Sequence, residues 1–177
     1  MAKILTTLPD CAQTIVYQMV VAAIKADATL AALVKPDCWT TYTEGACAKR
    51  NVPMDNNGLP CIRMMPFSAG VTPEAQVIQN APLGIAITVT TPGHDVRDIM
   101  NLWGVLARSI FTGDAAKTLG NAIRAALQAA STTQGSNIGS MQTFRLGLSG
   151  IGPSTDSNGS LFMTAEGIIL VEMTIPK

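Results

Sequence analysis

Gly84-Ile-Ala-Ile-Thr-Val-Thr-Thr-Pro-Gly-His-Asp-Val-Arg-Asp-Ile-Met-Asn-Leu-Trp103 changes its hydrophobic period within a few residues. Ile85, Ile87 and Val89 alternate with Ala86, Thr88 and Thr90, which puts one apolar row on one face of a β-strand. Pro92-Gly93 stops that pattern, and Asp95 is placed to cap a helix starting at Val96. From Val96 the apolar residues recur as Val96, Ile99, Trp103, Leu106 and Ile110, at helical spacing. The stretch therefore reads as a strand feeding an amphipathic helix that folds back over its sheet. It carries architecture and no chemistry.

Working outward, Asp10 is a candidate cap for a first helix to about Ala26, with Ile15, Val16, Met19, Val20, Ala23 and Ile24 as its apolar face. Asp27 opens a short helical segment through Leu30 and Leu33, ended at Pro36. Residues 38–44 and 60–67 read as strands, the second with Ile62 and Met64 opposed to Cys61, Arg63 and Met65. Asp114 is a candidate cap for a helix over 115–130 with Leu119, Ala122, Ile123, Ala126 and Leu127 inward. The run 131–140 reads as a linker. Phe144, Leu146 and Leu148 then alternate in a strand, and a last long strand covers 161–175 with a bend or bulge at Glu166-Gly167. Long loops are expected at 45–58, 68–81 and 150–159. The order predicts one α+β domain over residues 1–177, with a mainly antiparallel sheet of about five strands and helices packed on one face.

Composition narrows the function. The 177 residues suffice for one cored domain, and 12 basic against 12 acidic side chains give zero net charge. Neutrality argues against nucleic-acid binding driven by phosphate contacts and favours association between copies. The apolar run Thr14–Ile24 is interrupted by Gln18 and too short to span a bilayer, so no membrane is expected. The first residues carry no secretory pattern, which predicts use in a cytoplasm or release from one by lysis.

The candidate chemistry is thin. Cys11, Cys38, Cys47 and Cys61 form no Cys-x-x-Cys pair and His94 is distant from all of them, so no metal site is expected. Reduced thiols are the default in a cytoplasm, with a disulfide among Cys38, Cys47 and Cys61 open for an extracellular particle. His94-Asp95 and the Asp95/Asp98 spacing are explained by a helix cap and a helix dipole. Gly147, Gly150 and Gly152 follow a strand but precede no helix, as a phosphate loop would require. No catalytic residue and no cofactor site are expected. Trp39 and Tyr42 in the first strand, with Met64 and Phe67 in the second, are the candidate interface residues.

The chain also resembles a known group. A first helix, a Gly58-Leu-Pro-Cys-Ile-Arg-Met-Met-Pro66 strand, the Gly84–Thr90 strand with its acidic helix start at 94–103, and a closing strand pair ending Gly167-Ile-Ile-Leu-Val-Glu-Met-Thr-Ile-Pro176 carry the likeness. This pattern resembles the tail terminator and tail-completion proteins of the neck region of long-tailed bacteriophages. The resemblance implies a structural virion protein, assembled in the host cytoplasm as a homo-hexameric ring that caps the tail tube, ends its polymerisation and joins it to the head connector. Its implied partners are further copies of itself, the tail-tube protein and the head–tail connector protein, with the sheath protein as an additional neighbour; DNA meets it only by passage through the lumen. Another head–tail connector or tail-tube component is the alternative, and a small enzyme using His94 a more distant one.

Overall fold

The computed structural model describes residues 9–34, 39–40, 60–68, 72–73, 78–93, 95–155, 159 and 161–176. The period change at 84–103 is realised as strand β5 (Leu83–Pro92) followed by helix α3 (Val96–Phe111). Gly93 makes the turn at φ 75°, a left-handed conformation that costs a residue without Cβ nothing. The Asp95 carboxylate then accepts the Arg97 backbone N–H at 2.8 Å and caps α3.

The remaining strands are β1 (Trp39–Thr40), β2 (Cys61–Ser68), β3 (Thr72–Pro73), β4 (Ile78–Asn80), β6 (Ser140–Thr155) and β7 (Leu161–Pro176). All seven belong to one sheet, and every pairing is antiparallel except β1 with β2. They fill five positions across it, in the order β1, β2, β5, β7, β6. Ile78–Asn80 pairs with the Thr174–Pro176 end of β7, on the edge that β5 occupies further along, so β4 prolongs β5 and β3 prolongs β2. The expected loop over 68–81 is thus corrected: its described residues extend the two arms of the β2–β5 hairpin. Nothing in Thr72-Pro73 or Gln79-Asn80 alternates in hydrophobicity, and their place in the sheet is seen in the backbone pairing.

Two further expectations change. Residues 150–155 are not loop but the last part of β6, paired from Gly150↔Glu166 to Thr155↔Leu161. The run after 130 is not linker at its start, since α4 (Gly113–Gln134) continues through it until Gly135, at φ 66°, ends the helix. Thr132 and Thr133 donate their hydroxyls to the carbonyls of Gln128 and Ala129, both at 3.0 Å, so polar side chains are absorbed by the helix itself. The expected loop 45–58 lies outside the described residues.

Helix caps also move. In α1 (Ala12–Ala26) the cap position is Cys11, not Asp10, and no side chain caps it. The Asp10 carbonyl instead accepts the Gln134 amide at 3.1 Å. Asp27 does cap α2 (Ala28–Leu33), accepting the Leu30 N–H at 2.9 Å. Thr112, not Asp114, holds the cap position of α4, but its hydroxyl donates back to the Arg108 carbonyl at 2.9 Å and closes α3.

The core lies between the helices and one sheet face. Leu83, Ile85, Ile87 and Val89 of β5 meet Val171, Ile169, Ala165 and Met163 of β7 there, under Ile99, Leu102, Trp103 and Leu106 of α3. Val96, expected in that stripe, is 47% exposed and Leu102 takes the inward place. In α4, Leu119, Ile123 and Leu127 are buried, whereas Ala122 faces solvent. The close approach of α4 to the sheet comes from Gly120, where an added Cβ would lie 3.3 Å from the Phe144 ring. The bulge expected at Glu166-Gly167 sits across the ladder: β7 pairs with β5 without a shift there, and β6 carries extra residues at Gln142 and Ser149.

Candidate functional site

Of the four candidate interface residues, the structure describes the side chains of Met64 and Trp39. Met64 is fully buried, and its carbonyl accepts the Tyr17 hydroxyl at 3.0 Å; it is a core residue, because its parity in β2 points it under the helices. Trp39 is half-buried, packed on the core edge with its indole N–H donated to the Val34 carbonyl at 3.3 Å. Phe67 stands opposite Gly84 in the β2–β5 ladder. Tyr42 lies outside the described residues, as do Cys38, Cys47 and His94.

The residues weighed for chemistry are dispersed. Asp95 is spent on capping, Asp98 sits exposed in the first turn of α3, and Cys11 is an exposed thiol 3.2 Å from the Thr14 hydroxyl. Among the described residues no group of His, Cys, Asp and Glu is arranged to hold a metal ion. No described helix is long and apolar enough to cross a membrane. Gly147, Gly150 and Gly152 are strand residues of β6.

What the fold does present is a second sheet face, opposite the one on which the described helices pack. The ladder registers lay out its rows. Cys61, Thr90, Thr164 and Gly152 form one row across β2, β5, β7 and β6; Arg63, Thr88, Glu166 and Gly150 form the next; Met65, Ala86, Ile168 and Gly147 the third. The first two rows line a hollow of about 560 Å3, with Phe162 and Ser154 at its end. The third is apolar and open: Met65 is 37% exposed and Ile168 40%. A one-sided antiparallel sheet normally carries polar residues outward. Beside this face runs the outer edge of β6, a strand of 16 residues that pairs only with β7 among the described residues.

Sequence reasoning passes over Met65, Glu166 and Ile168. A signal exists: Ile168-Ile169-Leu170-Val171 is apolar at both parities, which is the pattern of a strand covered on two sides. Neither a protein-family model nor a curated protein matches this chain.

Proposed function

We propose that the chain is a structural ring protein of a long-tailed phage neck, which caps the tail tube, ends its polymerisation and joins it to the head connector. The observation that carries this reading is the long edge that β6 presents among the described residues. Unpaired strand edges are templates for association, and soluble proteins guard or use them. Here β6 offers 16 residues of edge among the described residues. A heterologous contact through such an edge generates a ring if the rotation closes. The resemblance of the chain to tail terminators supplies the partners: copies of itself, the tail-tube protein below, the connector protein above, and the sheath protein alongside. Neutral net charge removes long-range repulsion between the copies.

Native mass spectrometry and light scattering test it, together with binding to purified tail tubes. The expected result is a closed ring that binds tube ends and stops their growth. A monomer at every concentration, without tube binding, overturns the proposal. Open-ended cylinders of this chain alone under electron microscopy would assign it to the tube instead.

A further inference from the structure

We propose that an apolar groove between helix α3 and strand β6 receives helix α2 of a second copy of this chain, head to tail. The inference deepens the ring reading and rests on it in one respect, that the head-to-tail contact closes into a circle.

Three neighbouring elements build the groove. Val96, Met100 and Trp103 recur at helical spacing and share one flank of α3, while Leu102 lies across the helix from them and is buried. The Trp103 ring covers Gly167 of β7 at the place where the Gly147 carbonyl of β6 also lies, which turns this flank toward β6. Leu148 stands directly opposite Gly167 in the β6–β7 ladder, and so beside that ring. Leu161 closes the far end, where its carbonyl accepts the Gly93 N–H at 3.2 Å just ahead of α3. The flank of α3 is the wall and the helix side of β6 is the floor. Met100 is 56% exposed and Leu148 49%, and Val96 and Leu161 are nearly as open. These are four of the seven large hydrophobics exposed among the described residues, so they form a patch rather than the single scattered residues that need no account.

The opposite edge of the sheet supplies the occupant. Strand order places β1 at the edge away from β6, and the chain leaving α2 is tied to it, since the Trp39 indole donates to the Val34 carbonyl at 3.3 Å. Helix α2 buries Leu30 and exposes Leu33. Its sequence Ala28-Thr-Leu-Ala-Ala-Leu33 carries no charge, and the groove residues carry none either, so the contact strands no ion in a dry interface. Its exposed alanines permit close approach to α3. Six helical residues are about 9 Å long, and the groove spans about 20 Å from Leu161 to the Gly167 rung. Head-to-tail contact covers both patches, whereas a two-fold contact of groove on groove leaves Leu33 exposed. A short helix seated there buries roughly half the ~800 Å2 per partner of a standard interface. One contact alone is therefore weak, and ring closure, which makes the last contact intramolecular, is what makes the assembly last.

Sedimentation velocity and native mass spectrometry at about 1 to 100 μM test the proposal with two charge variants of the same sign. Met100→Lys spoils the groove and Leu33→Lys spoils the helix; both sites are exposed, and circular dichroism checks the fold. Each variant alone should associate at least about tenfold more weakly than the parent. Their equimolar mixture keeps one intact groove and one intact helix, so it should give one-to-one dimers and nothing larger. Leu148→Lys and Ala32→Lys repeat the test at independent positions. Either variant assembling like the parent, a mixture that grows beyond dimers, or a mixture monomeric at about 100 μM would overturn the contact. Parent rings that bind tubes, with variants that do the same, remove this contact and leave the ring. A mixture that behaves as expected, beside parent assemblies that neither close nor bind tube ends, keeps the contact and removes the phage reading. A parent monomeric at every concentration overturns both.

Discussion

Trp103 of α3 packs onto Gly167 of β7 so closely that the glycine position has no room for a side chain. A Cβ there would lie 2.9 Å from Trp103 Cζ2, closer still to Cη2, and would meet the Gly147 carbonyl of β6. One contact therefore joins the helix layer to both strands of the closing hairpin, at the rung where β6 carries its bulge. Gly167→Ala should destabilise by about 2–3 kcal/mol, the cost of overpacking a dense site. In a Trp103→Leu background the same change should cost less, because the ring that it strikes is gone. Urea denaturation of the four proteins measures the coupling; equal costs in both backgrounds would refute the contact.

Met64 lies in the core, so Met64→Ala should cost about 2–5 kcal/mol of stability through the cavity it leaves. Its effect on self-association should be no larger than the loss of folded protein explains. Chemical denaturation and sedimentation on one sample separate the two.

Thr91 is buried on the helix side of β5, and its hydroxyl has no partner among the described residues. Thr91→Val keeps the branched shape and removes an unsatisfied polar group. The expected gain is about 1 kcal/mol, read as a higher denaturation midpoint at unchanged slope. A loss of stability would mean that the hydroxyl is satisfied after all.

Arg124 of α4 donates to the carbonyls of Met141 and Gln142, at 3.4 and 3.0 Å, where β6 carries its first extra residue. Arg124→Met keeps the aliphatic stem and removes both bonds. Stability should fall by about 1–2 kcal/mol. Hydrogen exchange should quicken first in β6 near residues 140–144, with α1 unaffected; uniform quickening would argue against a local clasp.

Asp95 caps α3 through the Arg97 N–H, so Asp95→Ala should cost about 1 kcal/mol, and Asp95→Asn only a fraction of that. Thermal unfolding of the two variants distinguishes the cap from a charge effect.

Legibility in the sequence differs from element to element. The alternation of Ile85, Ile87 and Val89 and the helical spacing from Ile99 to Ile110 identify β5, α3 and their shared core face. Where an element is held by burial of one face, its period is written in the residues. The β3 and β4 arms are invisible in it because two or three residues are too few to show a period, and backbone pairing itself places no demand on hydrophobicity. The end of α4 is hidden by Ser131, Thr132 and Thr133, whose composition favours turns, while here the two threonine hydroxyls bond within the helix and that of Ser131 accepts the Ile138 N–H just beyond it. Spacing points Ala122 inward and the structure turns it outward, since alanine fits either side of a helix and only packing chooses.

The candidate surface divides in the same way. Residue chemistry alone singles out aromatic and methionine positions, but in β2 a step of one residue separates buried Met64 from exposed Met65. That difference depends on which parity the helices cover.

By itself the sequence determined the elements with a burial period, the α+β class, the neutral charge and the thinness of any chemical motif. Those properties are local, set by spacing along the chain and by side-chain type. Only the tertiary structure decided that Arg63, Thr88 and Glu166 share one row, that Met65 and Ile168 are partly exposed in the next, and that β6 forms an edge among the described residues. These facts arise from strand order and register, which bring residues as far apart in the chain as Thr88 and Glu166 to neighbouring strands; no local periodicity records which strand will lie beside which.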